Sequence, residues 1–189
     1  GLGAGVIVRA DGLVVTNDHV ITLGGDPGLG DTSSRAPAER IVVRLADGTR
    51  ADARVVARAP GHDLAFLQID MTGLPAATLI DDLHEIEVGE LAVAIGAAEN
   101  LEQPVTVGQV TGVLEGLRSR TLPRLETLIS SNVPLSQGNS GGPLADERGE
   151  VLGINVAVTM GDGDGEDPNG SSLAIPAPVV LQILRQLRR

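Results

Sequence analysis

The sequence predicts an all-β protein that ends in one helix. Apolar residues occupy 42 % of its 189 positions, in short runs of Val, Leu, Ile and Ala whose β-branched members favour strands. Phe66 is the single aromatic residue, so the core must be aliphatic. The 25 glycines are spread without a period, which suits many tight turns. A chain of this length forms one domain, or one domain with two lobes.

The N-terminal half predicts two hairpins and a further strand. An Asp-Gly pair between apolar segments is a strong hairpin signal, and it occurs at Asp11-Gly12 and at Asp47-Gly48. The segment Leu23 to Arg40 is rich in Gly, Asp, Pro and Ser and predicts an exposed loop between the hairpins. The predicted strands are Val6 to Arg9, Leu13 to Thr16, Ile41 to Leu45, Thr49 to Ala57 and Leu64 to Ile69.

The C-terminal half predicts five more strands, an acidic loop and the helix. The strands are Leu91 to Ile95, Val105 to Leu114, Leu125 to Ser130, Gly142 to Ala145 and Val151 to Val158. Short strands at this spacing are typical of a barrel or a sandwich. The loop Thr159 to Gly170 is acidic and glycine-rich but lacks the bidentate glutamate of a calcium loop, so no metal or other cofactor is expected. The helix is predicted from an apolar stripe at steps of three and four, formed by Val179, Val180, Ile183, Leu184 and Leu187.

Composition argues against several classes of function. The formal net charge is −11, whereas a nucleic-acid surface needs a basic patch with stacking aromatics, so no nucleic-acid partner is expected. The absence of cysteine excludes disulfides, thiolate catalysis and cysteine-ligated zinc. No apolar run approaches the roughly 20 residues that span a bilayer.

The stretch QGNSGGPL, residues 137–144, surrounds Ser140 with three glycines. It predicts either a tight turn with an incidental serine or a nucleophile that needs bare backbone N–H groups around it. A nucleophilic serine also needs a histidine as base and a carboxylate that orients the histidine. Of the three histidines, His84 lies in an acidic surface stretch and His62 in a turn, whereas His19 ends an apolar strand.

The chain order of these groups indicates a fold. His19 follows a strand, Asp63 precedes the apolar run of the next, and Ser140 comes last. The order His, Asp, Ser is that of chymotrypsin-type proteases, and it differs from the orders in α/β esterases and in subtilisin-type proteases. We therefore predict two six-stranded antiparallel β-barrels of the chymotrypsin/trypsin type with a C-terminal helix. The N-terminal barrel covers about residues 1–80, the second barrel about 85–176 and the helix about 177–188.

Six blocks along the chain resemble the successive motifs of the HtrA/Deg group of trypsin-like serine proteases. They are GLGAGVIV, GLVVTNDHVI, HDLAFLQI, GNSGGPL, GEVLGIN and LAIP, and they cover essentially the whole chain in the family's order. The resemblance implies an ATP-independent serine endopeptidase, without a cofactor, that hydrolyses unfolded or damaged proteins. It also implies an extracytoplasmic location, whether periplasmic, secreted or membrane-tethered. It admits a homotrimer, although the N-terminal segment that often supports trimer contacts is absent.

Carried over to this chain, the resemblance agrees with the roles inferred from the residues. Ser140 is the nucleophile, His19 is the base that takes its proton, and Asp63 fixes the tautomer of His19. The oxyanion hole is assigned to Gly138, Asn139 and Ser140, with the N–H groups of Gly138 and Ser140 as donors. The primary specificity pocket is expected to be lined by Pro134, Leu135, Ser136 and Gln137 and by Ile154, Asn155, Val156 and Ala157. None of these eight is charged, so the expected cleavage is after small or medium aliphatic residues.

The chain also departs from the family pattern. Ser131-Asn132-Val133 stands where Thr-Asp-Ala is common, and Ser172 and Leu173 stand where Gly and Phe are usual. These changes leave the triad intact but alter loops that shape the cleft in relatives. Two functions therefore remain open from the sequence: an active endopeptidase, or a latent protease-fold module that acts as a chaperone-like or peptide-binding domain.

Overall fold

The structure is a computed structural model that describes residues 2–22, 34–97, 105–116, 126–136, 138–159 and 172–187. The predicted loop at 159–170 falls almost wholly outside these ranges, as do most of the loop at 23–40 and Gln137.

The N-terminal half forms a five-stranded antiparallel sheet. In space its strands run β1-β2-β5-β4-β3, so β1 and β3 are its edges. A one-turn helix, α1, covers Asp18–Ile21 directly after β2. The strands are β1 (Val6–Arg9), β2 (Leu13–Asn17), β3 (Ile41–Arg44), β4 (Arg50–Ala59) and β5 (Leu64–Ile69).

The C-terminal half forms a closed six-stranded barrel in the order β10-β11-β8-β7-β6-β9. After it comes helix α2, Ala177–Leu187. The strands are β6 (Leu91–Ile95), β7 (Val105–Glu115), β8 (Thr127–Ser131), β9 (Pro143–Ala145), β10 (Val151–Thr159) and β11 (Ser172–Pro176).

These elements confirm the all-β class, the C-terminal barrel and the C-terminal helix. Within the ranges described, the N-terminal sheet has five strands with two open edges, where a closed six-stranded barrel was predicted. Strand β11 was not predicted, because all five of its residues are buried and a fully buried strand lacks the alternation that marks a half-buried one.

One hydrophobic core joins the two halves to the helix. Phe66 and Val15 from the N-terminal sheet belong to the same buried cluster as Ile154 and Ile175 from the barrel and Val180 from α2. Burying a side chain of this size stabilises a fold by roughly 1.5–3 kcal/mol. The shared core therefore fixes the end of β2 relative to the turn between β8 and β9, where the candidate site lies.

Candidate active site

His19 and Asp63 form a hydrogen-bonded pair at the end of β2. His19 Nδ1 lies 2.7 Å from Asp63 Oδ2, and the backbone N–H of His19 donates to Asp63 Oδ1 at 2.9 Å. The side chains are 12 % and 3 % exposed, respectively. Both carboxylate oxygens thus engage one residue, which fixes the ring orientation and leaves Nε2 as the nitrogen that can exchange a proton with a nucleophile.

Asp63 reaches this position through an uncommon backbone conformation. It follows the 3-10 turn Pro60–His62 with φ 50° and ψ 41°, a left-handed region that aspartate tolerates better than most residues. The carbonyl of Asp63 accepts the backbone N–H of Asp18 at 3.1 Å and the Asn17 side-chain amide at 3.0 Å. Sequence reasoning missed this role of Asn17, for which the only signal was a polar residue at the end of an apolar strand.

A buried ion pair supports the turn that carries His19. The Asp18 carboxylate is fully buried and takes two hydrogen bonds from Arg58, Nε to Oδ1 at 2.6 Å and Nη2 to Oδ2 at 2.7 Å. A third Arg58 nitrogen, Nη1, donates to the carbonyl of Arg35 at 2.8 Å. The hydrogen bonds to Asp18 raise the pKa of Arg58 above its ordinary value. Arg58 thereby links α1, β4 and the segment that leads into β3.

The loop that carries Ser140 packs against the same end of β2. Ser140 is 7 % exposed, and its carbonyl accepts the N–H of Ala4 at 2.8 Å. Ala4 is held in turn by Thr16 Oγ1, which donates to its carbonyl at 2.7 Å. At Gly141, where φ is 83°, a side chain would collide with Thr16 and with the carbonyl of Ala4. Because only glycine permits this approach, the nucleophile loop lies beside the residues that lead directly into α1 and His19.

A backbone hydrogen bond closes the turn that precedes Ser140. The N–H of Asn139 donates to the carbonyl of Ser136 at 3.1 Å, which closes a four-residue turn. Its third residue, Gly138, has φ 105°, in the left-handed region that glycine adopts without strain. The N–H of Asn139 is therefore engaged within the turn, where it stabilises the loop. The assignment of Gly138, Asn139 and Ser140 to the oxyanion hole stays a prediction. Gly138 and Ser140 keep their assignment as predicted donors.

The predicted pocket residues fall into two groups. Pro134 and Ser136 are exposed and Leu135 is half-buried, so this segment can face a ligand. Ile154 and Val156 are 0 % exposed and belong to the shared core; their assignment to the pocket stays a prediction. Because successive side chains of a strand point to opposite faces, Asn155, which lies between these two residues, faces the loop that carries Ser140. Gln137 and the side chain of Ala157 lie outside the described part.

Asn155, predicted as a pocket residue, anchors the nucleophile loop. Its carbonyl accepts the N–H of Gly141 at 2.9 Å, and its N–H donates to the carbonyl of Gly142 at 2.8 Å. Its side-chain amide donates to the carbonyl of Pro143 at 2.7 Å. These three bonds tie β10 to the three residues that follow Ser140.

The described ranges offer neither a metal site nor a membrane-spanning helix. They hold no cluster of three or more His, Asp or Glu side chains that could bind a metal ion. In the same part of the chain, neither helix is long and apolar enough to cross a membrane.

Comparison of the chain with known proteins identifies its family. The family model described as the trypsin-like peptidase domain matches residues 3–154. A probable periplasmic serine endoprotease, DegP-like, of Ectopseudomonas mendocina (strain ymp) is 36 % identical over 189 residues, which is 99 % of this chain and 35 % of that protein. The DegP-like protein of Halomonas elongata is 35 % identical, again over 99 % of this chain and 35 % of its own length. The chain thus spans about a third of the length of the curated relatives that it matches.

Solved structures agree with these relatives. The HtrA-type protease AlgW with a decapeptide superposes with a TM-score of 0.77 at 33 % identity, over 98 % of this chain and 51 % of that one. The serine endoprotease from Yersinia pestis superposes with a TM-score of 0.73 at 31 % identity, over 98 % of this chain and 57 % of that one. The chain therefore belongs to the trypsin-like peptidase domain family, and it is similar to the serine endoproteases of the HtrA/DegP type within it.

Proposed function

We propose that this domain is the catalytic part of a serine endopeptidase in which Ser140, His19 and Asp63 form a triad. One observation carries the proposal: the Asp63 carboxylate lies 2.7 Å from His19 Nδ1 and accepts the backbone N–H of His19 at 2.9 Å. A histidine that only packs in a core has no need of a buried carboxylate that is bonded to both its ring and its backbone N–H. A histidine that must gain a proton during a reaction does need one, because the carboxylate stabilises the imidazolium.

The reaction that this arrangement supports is acyl transfer. Ser140 Oγ attacks the carbonyl carbon of the peptide bond while its proton passes to His19 Nε2. His19 then returns that proton to the leaving amine as the carbon–nitrogen bond breaks, which leaves an acyl-enzyme. Water, deprotonated by His19, attacks the ester and releases the acid, so that Ser140 regains its proton. Asp63 keeps its charge throughout and holds Nδ1–H toward itself.

The conformation of the nucleophile loop supports an active domain over a latent one. The developing oxyanion needs two N–H donors held in place before the reaction, and we assign these to Gly138 and Ser140. The loop is held by backbone bonds beside both donors: the carbonyl of Gly138 accepts the N–H of Ala97 at 3.0 Å, and the carbonyl of Ser140 accepts the N–H of Ala4 at 2.8 Å. A latent module would not need these restraints.

Substrate and location follow from the relatives. The AlgW complexes contain a decapeptide and a tripeptide, and the DegP-like relatives are named periplasmic. We propose unfolded polypeptides as substrates and an extracytoplasmic location. The exposed pocket segment, with Pro134 and Ser136, is uncharged, which favours small or medium aliphatic residues before the cut. A peptide panel cleaved preferentially after Arg would overturn this preference.

The first experiment is digestion of β-casein by the purified chain. We expect cleavage by the wild type and none by Ser140→Ala or His19→Ala. His84→Ala is the matched control, because His84 is an exposed histidine in a 3-10 turn capped by Asp82, and it should keep wild-type activity. A folded wild type that binds casein without cutting it would favour the chaperone-like module instead.

A further inference from the structure

We propose that Asn17 is a positioning residue for catalysis, because its side chain holds Asp63 in the backbone conformation that directs the carboxylate to His19. The inference rests on the proposed peptidase function and gives a task in catalysis to a residue outside the triad. Asn17 is placed at no reacting atom, and it acts on the reaction only through Asp63.

The backbone of Asp63 needs such support. Among the described residues, Asp63 is the only one besides glycines with a positive φ. Residues with a side chain populate this left-handed region sparsely, and they stay there where surrounding contacts hold them. The N–H of Asp63 donates to the carbonyl of Pro60 at 3.0 Å, which fixes one side of the residue. The carbonyl of Asp63 is on the other side, and a change of ψ would turn it.

Two donors hold that carbonyl. Asn17 Nδ2 donates to it at 3.0 Å, and the backbone N–H of Asp18 donates at 3.1 Å. Asn17 itself is held in place because it pairs with Leu64, the residue after Asp63, in the ladder between β2 and β5. Since both backbone polar groups of Asp63 are bonded, the direction of its Cα–Cβ bond is set. The carboxylate can then meet both the ring and the backbone N–H of His19.

Burial indicates that the donor atom of Asn17 is the important one. Asn17 is 0 % exposed and Asp63 is 2 % exposed, so water does not compete for the bond between them. Within the described ranges, Asn17 Oδ1 is buried and has no hydrogen-bond partner. A buried acceptor without a partner weakens a fold. This asymmetry is expected of an amide that is retained for the bond its nitrogen donates.

The test combines proton NMR of the full chain with steady-state hydrolysis of a small aliphatic peptide. A histidine ring N–H that is bonded to a carboxylate resonates far downfield of other N–H protons, so His19 Nδ1–H reports the contact with Asp63 without any substrate. Asn17→Ala should move this resonance upfield or abolish it. It should also lower kcat by about 10- to 100-fold. KM should stay within about twofold of wild type, because the carboxylate stabilises the imidazolium of the transition state.

Two further variants complete the experiment. Asn17→Asp keeps the shape of the side chain but presents an oxygen to the carbonyl of Asp63, so it should lose at least as much kcat as Asn17→Ala. It also decides the question if the alanine variant fails to fold. Ser130→Ala is the matched control, because Ser130 is also buried, at 6 % exposure, and its hydroxyl donates to the carbonyl of Gly112 at 3.2 Å within the C-terminal barrel. It should keep the wild-type resonance and kcat.

The outcomes separate the role of Asn17 from the function on which it rests. An active wild type with an unchanged resonance and kcat in a folded Asn17 variant would overturn the positioning role alone. Equal losses in Asn17→Ala and Ser130→Ala would overturn it as well, because they would show a general weakening of the fold. An inactive wild type whose His19 resonance is still lost in Asn17→Ala would contradict the peptidase function, while supporting the hold of Asn17 on Asp63.

Discussion

At the scale of single residues, the role of Asp63 beside His19 depends on the charge of its carboxylate as well as on its shape. Its backbone is left-handed, with φ 50° and ψ 41°, and asparagine tolerates that region as well as aspartate does. The substitution Asp63→Asn should therefore leave the fold intact. It would replace an acceptor oxygen with an amide that favours the wrong tautomer of His19.

We expect Asp63→Asn to lower kcat by about 10⁴-fold, the loss typical of a triad whose carboxylate is made neutral. Steady-state kinetics on a peptide substrate would measure it, with thermal unfolding as the check on the fold. Activity within tenfold of wild type in a well-folded variant would mean that Asp63 is only a structural partner of His19.

Gly138 allows a second residue-scale prediction. Its φ of 105° strains any other residue by about 1–2 kcal/mol, and relief of that strain would turn over the peptide that carries the proposed oxyanion donor. Gly138→Ala should therefore lose at least about 100-fold in kcat, the effect of one missing donor. Gly48→Ala is the matched control, because Gly48 has φ 86° with open space around it. Equal kinetics in the two alanine variants, each with similarly reduced stability, would remove Gly138 from the catalytic account.

At the scale of elements, the Asp18–Arg58 pair joins α1 to β4. Asp18 is fully buried, and the Arg58 side chain is 19 % exposed. Removing one partner of a buried pair leaves the other charge without compensation. Asp18→Asn should therefore destabilise the fold by about 3 kcal/mol. This value is at the low end of the usual range because the Arg58 side chain is partly exposed to solvent.

The matched control for Asp18→Asn is Asp52→Asn. Asp52 pairs with Arg40 on the surface, and the two side chains are 69 % and 76 % exposed, so the loss of stability should be far smaller than in Asp18→Asn. Urea unfolding of both variants measures the difference. Similar midpoints would show that the Asp18–Arg58 pair does not hold the His19 turn.

The same elements show how far sequence reasoning reaches. Strands β1, β5 and β6 were predicted residue for residue, because each is a short apolar segment bounded by turn residues. Strand β11 was missed because complete burial removes alternation. Helix α1 was missed because four residues are too few to show a helical period.

The candidate site, too, could be predicted only in part from the sequence. Residue type and chain order were enough to select His19 and Asp63, which the structure brings into contact. They could not reveal that the side chains of Ile154 and Val156, two residues assigned to the pocket, belong to the buried core. The bonds of Asn17 and Asn155 depend on contacts between distant segments, and no local pattern in the sequence specifies them.

At the scale of the whole molecule, stability should fall in acid, in part through Asp146. Burial raises the pKa of Asp146, but hydrogen bonds from the Arg148 side chain and from the N–H groups of Glu150 and Arg148 outweigh it and lower the pKa below its ordinary value. A carboxyl group with a lowered pKa stabilises the fold above its unfolded value of about 4, and that contribution is lost as the pH falls further. Glu90 acts in the opposite sense, because burial raises its pKa and its contribution is lost as the pH rises.

Asp146→Asn tests this assignment. The variant should be less stable than wild type at pH 7, and the difference should shrink as the pH falls below about 4. Urea unfolding at a series of pH values measures it, and Asp81→Asn, at an exposed position, is the control. A difference that stays constant from pH 7 to pH 3 would show that Asp146 stabilises the turn by shape alone.

The measurement that tests the central claim most directly is labelling with a fluorophosphonate, followed by mass spectrometry of the labelled peptide. The probe reacts only with a serine that is activated by its base and supported by an oxyanion hole. The triad predicts one label per chain, located on Ser140 and lost in His19→Ala. No label on a well-folded chain, or a label on another serine, would contradict the triad and leave the domain as a protease fold without the protease reaction.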